Sequence, residues 1–382
     1  MQHSDFLVDR QDLAEFRWAT APSELRTEVL APGWALLGVR RFAFTANNIT
    51  YALHGEETRF WDYFPAPPRF GHIPVWGLAE VIYSQAPALR IGESIFGFFP
   101  MSTHLFVLPQ KLKETGFIDG TAHRSDLPRT YNEYARIEHD PSYEAETADY
   151  FIVLRPLFML SFFLAEHLKE VDFFHVRRVV ISSASSKTGL GLAFLLKHKA
   201  VDDVEVVGLT GAERVASVSA LGRYDRVVSY DRIDSLATDR TTSYVDIAGD
   251  PAINQAVHGQ LATCLRYSYG VGSTRATSAR SESEHELPGP RPIFFFTPSH
   301  IVARREAWGT ALLRRRLSES WTSFLAYIAP LLHIETSFGR ASIERVYREV
   351  LEGRAPPDKA HILSFEQAAM NDHVLAAATA SC

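Results

Sequence analysis

The sequence contains very little cysteine. Its 382 residues include only two cysteines, Cys264 and Cys382. Two thiols cannot form the disulfide framework of a small secreted domain. They also cannot supply the four thiolates of a typical structural zinc site, and they make a catalytic zinc site of the Cys-His-Cys type improbable. The cysteine content therefore favours a cytoplasmic protein that holds no zinc.

Long apolar runs and a strong excess of one charge are also missing. No segment approaches about 18 uninterrupted apolar residues, the length of a membrane-spanning helix. The most apolar long run, 154–168, has Arg155 and Pro156 at its start, and we expect it to be a buried helix. The N-terminal segment lacks the apolar core of a secretory signal. The formal net charge of -6 at pH 7 favours neither nucleic acid nor a membrane surface as a partner.

The length and the residue patterns predict two domains. Residues 28–110 read as short apolar segments broken by Gly and Pro, which is typical of a small barrel or sandwich. Residues 111–150 are polar and irregular. From 151 onward strand and helix patterns alternate, which predicts a mostly parallel sheet with helices on both faces. The polar segment 273–290 is expected to be a loop or insertion, and helical patterns dominate from 301 to the end.

One segment, ISSASSKTGLGL at 181–192, has the setting of a phosphate-binding loop. It lies between a predicted buried strand and a predicted helix, where α/β proteins hold phosphate groups. A P-loop is disfavoured because Ile181 and Ser186 occupy both of its glycine positions. The dinucleotide fingerprint G-x-G-x-x-G falls on Ala184, Ser186 and Gly189, and only the last is glycine. Small residues at the other positions still allow the backbone to approach a pyrophosphate, so a dinucleotide site is the better interpretation.

The end of the next predicted strand indicates which dinucleotide the site takes. An NAD-specific protein places Asp or Glu there, on the ribose hydroxyls. This chain has Thr210 and Gly211, followed by Arg214. Loss of the acid and gain of a cation is the pattern expected for a 2′-phosphate, and hence for NADP. The alternative is that Arg214 is an ordinary solvated helix residue.

Signatures of other chemistries are absent from the sequence. There is no G-x-S-x-G nucleophile elbow and no H-E-x-x-H metal motif. None of the 14 tyrosines has a lysine four residues later, as short-chain reductases require. His72, His104 and His123 could in principle form a metal site with an acid, but their spacing does not indicate one. Hydride transfer with a bound nucleotide remains the leading chemistry.

Several motifs together resemble a known superfamily. The segments VVISSASSKTGLGLAFLLK, VEVVGLTGAERV and SYVDIAGD resemble the nucleotide domain of the medium-chain dehydrogenase/reductase superfamily, close to its zinc-free quinone oxidoreductase branch. RRFAFTANNITYALHGE and RIGESIFGFFP resemble motifs of its N-terminal domain. More narrowly, TANNITYA, PVWGLAEV, RPLF and SSASSKTG resemble the DUF2855 family.

The resemblance implies a fold and a domain order. The fold class is α/β, with a GroES-like β-barrel domain and a Rossmann domain that has a doubly wound parallel sheet. The expected domains are a substrate domain at 1–150, an NADP-binding domain at 151–300, and a helical C-terminal segment at 301–382 that returns to the substrate domain. Relatives often form homodimers through the edge of the Rossmann sheet, so a homodimer is expected by analogy.

The resemblance also implies roles for individual residues. Asn48 and Tyr51 match positions that face the nicotinamide and the substrate, although Tyr51 could equally be a packing residue. The residues implied for NADP are Ser185, Ser186, Lys187, Thr188 and Gly189 at the pyrophosphate, Thr210, Arg214 and Tyr230 at the adenosine phosphate, and Gly249 after a later strand.

A further candidate cluster comes from the residues themselves. The irregular segment AHRSDLPRTYNEY carries His123 and Tyr131, which could act as hydrogen-bonding or acid–base groups, since long irregular segments of enzymes often line sites. The alternative is a surface loop with local turn bonds.

The combined prediction is a zinc-independent, NADPH-dependent reductase. It would transfer hydride to a carbonyl or activated alkene of a small apolar or polyketide-like molecule. Two alternatives stay open: a cofactor-independent lyase, hydrolase or isomerase of a ketone, and an inert protein that senses NADPH.

Overall fold

The structure is a computed structural model that describes residues 3–21, 30–198, 204–271 and 287–367. Most of the predicted loop at 273–290, and Cys382, lie outside these ranges. The chain divides into two compact units. The first unit consists of Met1–Val153 and Leu332–Cys382, and the second unit is Leu154–Leu331.

The sheets contain both antiparallel and parallel strands. The strands are β1 (His3–Asp9), β2 (Phe16–Ala21), β3 (Ala35–Phe44), β4 (Phe70–Gly71), β5 (Val75–Ser84), β6 (Ser94–Phe99), β7 (His104–Val107), β8 (Pro109–Lys113), β9 (Gly116–Asp119), β10 (Glu133–Arg136), β11 (Arg178–Ile181), β12 (Glu205–Thr210), β13 (Arg226–Ser229), β14 (Thr242–Asp246), β15 (Leu265–Gly270), β16 (Ile293–Phe294), β17 (His333–Phe338) and β18 (Lys359–Ser364). Those of the first unit are mainly antiparallel, and those of the second unit are parallel.

The α-helices range from one and a half turns to a long, kinked helix. They are α1 (Ala46–Leu53), α2 (Ala148–Glu170), α3 (Lys187–His198), α4 (Val215–Ala220), α5 (Pro251–Leu261), α6 (Thr297–Ile328) and α7 (Arg340–Leu351). Helix α6 is interrupted at Gly309, whose φ of 75° lies in a region that glycine adopts readily.

The first unit has a large sheet in the order β17-β18-β3-β5-β6-β10-β9-β8, and β7 also pairs with β3. A smaller sheet has the order β2-β1-β4. One apolar core joins residues from both ends of the chain. Its members include Phe6, Phe42, Phe44, Trp61, Val75, Ile343, Val346, Tyr347 and Leu363.

Two predictions for the first unit need correction. The segment 111–150, expected to be irregular, contains β9, β10 and part of β8, because short strands with few apolar residues pair in this sheet. The segment after 300, expected to be helical, contains β17 and β18 as well as helices. Strand β18 pairs with β3 about 300 residues earlier in the chain, and such a long-range pairing leaves no local pattern in the sequence.

The second unit has a parallel sheet in the order β13-β12-β11-β14-β15-β16. Its central strands are nearly continuous apolar runs because helices cover both faces of such a sheet, and β11 is buried at every position. The order changes direction between β11 and β14. In open α/β sheets this switch point is where ligands bind, at the carboxyl ends of the strands.

Helix α2 is longer than the sequence pattern predicts. It starts at Ala148, so Pro156 lies inside the helix and not at its first turn. With the preceding turn, Ala145–Glu170 has the length and composition of a membrane span, with a mean hydropathy of 1.6 in its most apolar window. However, 72% of that window is buried inside the structure, as is typical of the core helix of a folded domain.

Candidate functional site

The loop between β11 and α3 lies at the switch point of the parallel sheet. Ser183 adopts a φ of 53°, a conformation that few residues other than glycine adopt. The Ser186 hydroxyl accepts a hydrogen bond from the Gly189 N–H at 3.0 Å. Ser186 therefore caps α3, and the positive end of the helix dipole lies directly after the loop.

Two glycines allow the loop to pack closely. A Cβ atom at Gly189 would lie 2.6 Å from the carbonyl oxygen of Ser183, and one at Gly208 would lie 2.8 Å from the Cβ of Ala184. Real Cβ atoms do not approach neighbours this closely. Gly189 thus permits the start of α3 to pack closely against the loop, as the third glycine of a dinucleotide fingerprint does. This geometry fits a dinucleotide pyrophosphate.

The predicted pyrophosphate residues lie together around this turn. Ser185 accepts a hydrogen bond from the Thr210 hydroxyl at 3.4 Å, so the loop also contacts the end of β12. Lys187 is the first residue of α3, and Thr188 follows it. The structure brings the five consecutive residues at 185–189 and Thr210 to one end of the sheet.

An acidic residue that the sequence pattern did not single out lies beside Arg214. Glu213 folds back over Gly211, and its carboxylate would lie 2.6 Å from a Cβ atom at that glycine. Arg214 forms an ion pair with Glu213, with 3.4 Å between Nε and Oε1, and its side chain is 42% exposed. The end of β12 therefore offers both a cation and an acid. The sequence pattern looks for an acid directly at the end of the strand, and it misses Glu213 because this residue comes three residues after β12 ends.

Tyr230 directly follows β13, and Gly249 lies in the loop that follows β14. The Tyr230 hydroxyl accepts a hydrogen bond from the Ser183 N–H at 2.8 Å, so Tyr230 contacts the loop itself. Gly249 has a φ of 61°, and its N–H donates to the Asp246 Oδ1 atom at 3.0 Å. Tyr230 thus supports the loop backbone, and Gly249 belongs to the neighbouring loop after β14.

Asn48 in the first unit is held by hydrogen bonds within the protein. It lies in α1, where its Oδ1 atom accepts from the Thr45 N–H at 2.8 Å and its Nδ2 atom donates to the Pro74 carbonyl at 2.8 Å. The first bond is part of a capping box that begins the helix at this position. Asn48 is buried, and both ends of its amide position the turn that carries Tyr51.

Tyr51 and Tyr131 lie in one buried aromatic cluster. Their ring centroids are 6.3 Å apart, and the Tyr51 hydroxyl accepts a hydrogen bond from the Trp76 Nε1 atom at 3.1 Å. Burial raises the pKa of Tyr51 and raises that of Tyr131 well above its ordinary value. Both phenols are therefore neutral at physiological pH and can donate a hydrogen bond. The other members of the cluster are Phe60, Tyr63, Phe64, Phe98 and Leu127.

His123 does not join Tyr51 and Tyr131 as a buried group. Its side chain is exposed, and its Nε2 atom lies 3.2 Å from the Tyr63 carbonyl oxygen. The neighbouring Arg124 is buried instead. Its Nε atom donates to the same carbonyl at 2.9 Å, and its Nη1 atom lies 3.0 Å from Asp119 Oδ2. The irregular segment is therefore attached to the aromatic cluster by Arg124.

Among the described residues, no group of three or more His, Cys, Asp or Glu side chains is placed to hold a metal ion. His72 and His104 are buried, and burial lowers the pKa of each to about 4.

Three solved structures have the same fold as this chain at low sequence identity. CurA of Vibrio vulnificus in complex with NADPH matches with a TM-score of 0.58 and 14% identity, over 95% of this chain and 99% of that chain. A mutant enoyl thioester reductase of Candida tropicalis matches with a TM-score of 0.54 and 12% identity, over 96% and 100%. A quinone oxidoreductase of Coxiella burnetii matches with a TM-score of 0.50 and 16% identity, over 96% and 100%.

These matches define the fold as that of the medium-chain dehydrogenase/reductases, and the predicted fold class is confirmed. A family model described as protein of unknown function (DUF2855) matches residues 42–356. The chain belongs to the DUF2855 family, as its motifs predicted. A comparison with curated proteins finds no match.

Proposed function

We propose that the protein is an NADPH-dependent, zinc-independent reductase that transfers hydride to a carbonyl or activated alkene of a small apolar substrate. The observation that carries the proposal is the loop after β11, which packs against α3 through Gly189 at the switch point of a parallel sheet. The structural neighbours support it, because one of them was solved with NADPH and two are named as reductases or oxidoreductases.

The second unit would bind the nucleotide. Residues 185–189 would hold the pyrophosphate, since they lie at the positive end of the α3 dipole. Lys187 would add a positive charge at the same place. Thr210 and Arg214 would hold the adenosine ribose with its 2′-phosphate, and Tyr230 would keep the loop in position through Ser183.

The first unit would bind and polarise the substrate. When bound, NADPH supplies the hydride. Negative charge then develops on the substrate oxygen, and a neutral donor in a dry pocket stabilises it. Tyr51 would be that donor because burial keeps its phenol protonated. The aromatic side chains around Tyr51 favour an apolar substrate. Tyr131 would contact the edge of that substrate, and His123 would lie at the exposed end of the segment that carries Tyr131.

Nucleotide titration tests the proposal. NADPH should bind with a Kd below about 1 mM, within the usual range for enzyme ligands. Arg214→Ala should weaken NADPH binding about tenfold or more, roughly 1.4 kcal/mol, and should change NADH binding little. Glu213→Gln should have the opposite effect on NADPH, a gain of a few-fold, because it removes a negative charge near the 2′-phosphate.

The matched control is Arg232→Ala, which removes an exposed arginine of the same unit and should leave both affinities unchanged. If neither nucleotide binds to the wild-type protein, the reductase proposal is wrong. The wild-type protein should then be assayed for cofactor-independent reactions of ketones.

A second test concerns Tyr51. With a 1,4-naphthoquinone and an α,β-unsaturated ketone as probes, Tyr51→Phe should lower kcat/KM about 10- to 100-fold, as expected for loss of one transition-state donor. NADPH affinity should stay the same. Tyr83→Phe is the control, because that tyrosine is on the opposite end of β5 from Trp76 and accepts a bond from Gln85. An equal effect of both substitutions would argue against a specific role for Tyr51.

A further inference from the structure

The hydrogen bonds of the Tyr51 hydroxyl differ from those of three other buried tyrosines. Tyr134, Tyr224 and Tyr347 each donate their hydroxyl to a backbone carbonyl oxygen, at distances of 2.8, 3.0 and 2.6 Å. Tyr51 instead accepts a hydrogen bond from the Trp76 Nε1 atom at 3.1 Å. An indole N–H can only donate, so this bond does not use the phenol proton of Tyr51.

Asn47 is a second group that bonds to the same hydroxyl. It lies one turn before Tyr51 on α1, and its side chain hydrogen-bonds the phenol. Burial raises the pKa of Tyr51, whereas the bonds from Trp76 and Asn47 lower it. A hydrogen bond lowers the pKa of a phenol when it stabilises the ionised form, as an N–H donor does. Both side chains therefore donate to the phenol oxygen, and neither bond uses its own O–H.

Packing holds the indole of Trp76 in its orientation. Trp76 is the second residue of β5 and pairs with Phe98 of β6. Its ring stacks on that of Phe96, with centroids 5.5 Å apart and an interplanar angle of 22°. The Phe98 ring lies 5.1 Å from it. Contacts with two phenylalanines thus set the plane of the indole and the direction of its N–H.

A buried phenol can release its proton only if the phenolate is stabilised. In an aromatic cluster the phenolate is poorly solvated, so burial alone makes Tyr51 a weak acid. Two N–H donors at the oxygen stabilise the negative charge as it develops, and they are in place before any reaction. A phenol whose oxygen accepts hydrogen bonds is also a stronger donor through its own O–H.

We propose that Trp76 and Asn47 are positioning residues that make Tyr51 the proton donor of the reaction, because they orient its O–H and stabilise the phenolate that remains after transfer. The inference rests on the proposed function, since it requires that Tyr51 faces the reacting substrate. Trp76 and Asn47 act through the Tyr51 hydroxyl and not through a contact of their own with the substrate.

The proton and the hydride reach different atoms of the substrate. A carbon of the ketone or conjugated alkene gains hydride from NADPH, and the substrate oxygen, which then carries negative charge, gains the proton of Tyr51. New C–H and O–H bonds form while the nicotinamide C–H bond and the phenol O–H bond break. NADPH is oxidised to NADP+, and water returns a proton to the phenolate.

A double-mutant cycle tests whether Trp76 acts through Tyr51. With NADPH and the same two probes, Trp76→Phe should lower kcat about tenfold and change KM little, because it removes one hydrogen bond to a developing charge. In the Tyr51→Phe background, the same substitution should change kcat less than about twofold. Trp18→Phe is the matched control, since it also removes an indole N–H bond in the first unit, to Glu344, and it should leave kcat unchanged.

A second variant, Asn47→Asp, keeps the inference falsifiable if Trp76→Phe does not fold. It preserves the shape of the side chain but replaces the NH2 donor by a negatively charged acceptor. Asp in the first turn of a helix is favourable, so urea unfolding should show no loss of stability. The value of kcat should nevertheless fall about tenfold or more. In the Tyr51→Phe background it should change less than about twofold.

The outcomes separate the two proposals. If the wild-type protein binds no NADPH, the proposed function is wrong and this inference is wrong with it. If the wild-type protein reduces a probe, but the losses at Trp76 and Tyr51 are additive or Asn47→Asp retains full kcat, this inference alone is overturned. Losses of kcat that disappear in the Tyr51→Phe background support both proposals.

Discussion

Replacing Arg124 by Met should lower the free energy of unfolding of the first unit by about 3–5 kcal/mol, the usual cost of breaking a buried ion pair from one side. Arg124 and Asp119 are each 1% exposed in their side chains. Without the guanidinium, the carboxylate of Asp119 stays buried with no countercharge. The substitution also removes donors to the Tyr63 carbonyl and the Tyr134 hydroxyl.

The measurement is urea unfolding monitored by tryptophan fluorescence, since Trp61 and Trp76 lie in this unit. Arg129→Met is the matched control, because that arginine is exposed and pairs with Glu133 only at the surface, so it should cost at most about 0.5 kcal/mol. Adding Asp119→Asn to Arg124→Met should restore part of the loss. A cost below about 1 kcal/mol for Arg124→Met would contradict the assigned role of the pair.

Acidification from pH 7 to pH 4 should destabilise the first unit, and His72 alone should contribute about 3 kcal/mol of the loss. Burial lowers the pKa of His72 from 6.5 to about 4. Between these values the unfolded chain binds a proton at this position and the folded chain does not, so stability falls as the pH falls. About 1.4 kcal/mol per pKa unit gives the stated magnitude.

The groups that act on His72 electrostatically are on β1. Asp5 raises the pKa of His72 and His3 lowers it, both less than burial does. Urea unfolding at several pH values should show a shallower pH dependence for His72→Gln than for the wild-type protein. His333→Gln, at an exposed histidine of the same unit, should keep the wild-type slope. Equal slopes for His72→Gln and wild type would refute the prediction.

Local pattern was sufficient to predict the second unit. The predicted alternation of apolar strands and helices from about 176 to 270 corresponds to β11 through β15. This prediction was possible because the apolar run of a strand and the period of a helix both depend on residues that are close together in the chain. Gly189 could be located for the same reason. The loop and the helix that it joins are consecutive in the chain, so their geometry depends on local residues.

The remaining parts depend on contacts between distant residues. The ion pair of Arg124 with Asp119 and the bonds of Asp246 to Ser182 join residues that no local period connects. The helical conformation of TANNITY was also missed. Its capping box needs the Asn48 side chain to fold back on Thr45, and the Thr, Ile and Tyr residues of this short segment favour a strand when they are judged alone.

The first unit is discontinuous, and this affects how the protein is made. Ribosomes add residues from the N-terminus, so all of the second unit emerges before β17, α7 and β18 exist. Until then β3 has no partner on the side that β18 later covers, and the core lacks Ile343, Val346 and Tyr347. An unpaired strand edge beside exposed apolar side chains is prone to aggregation. The first unit therefore completes its large sheet and its core only after the whole of the second unit has been translated.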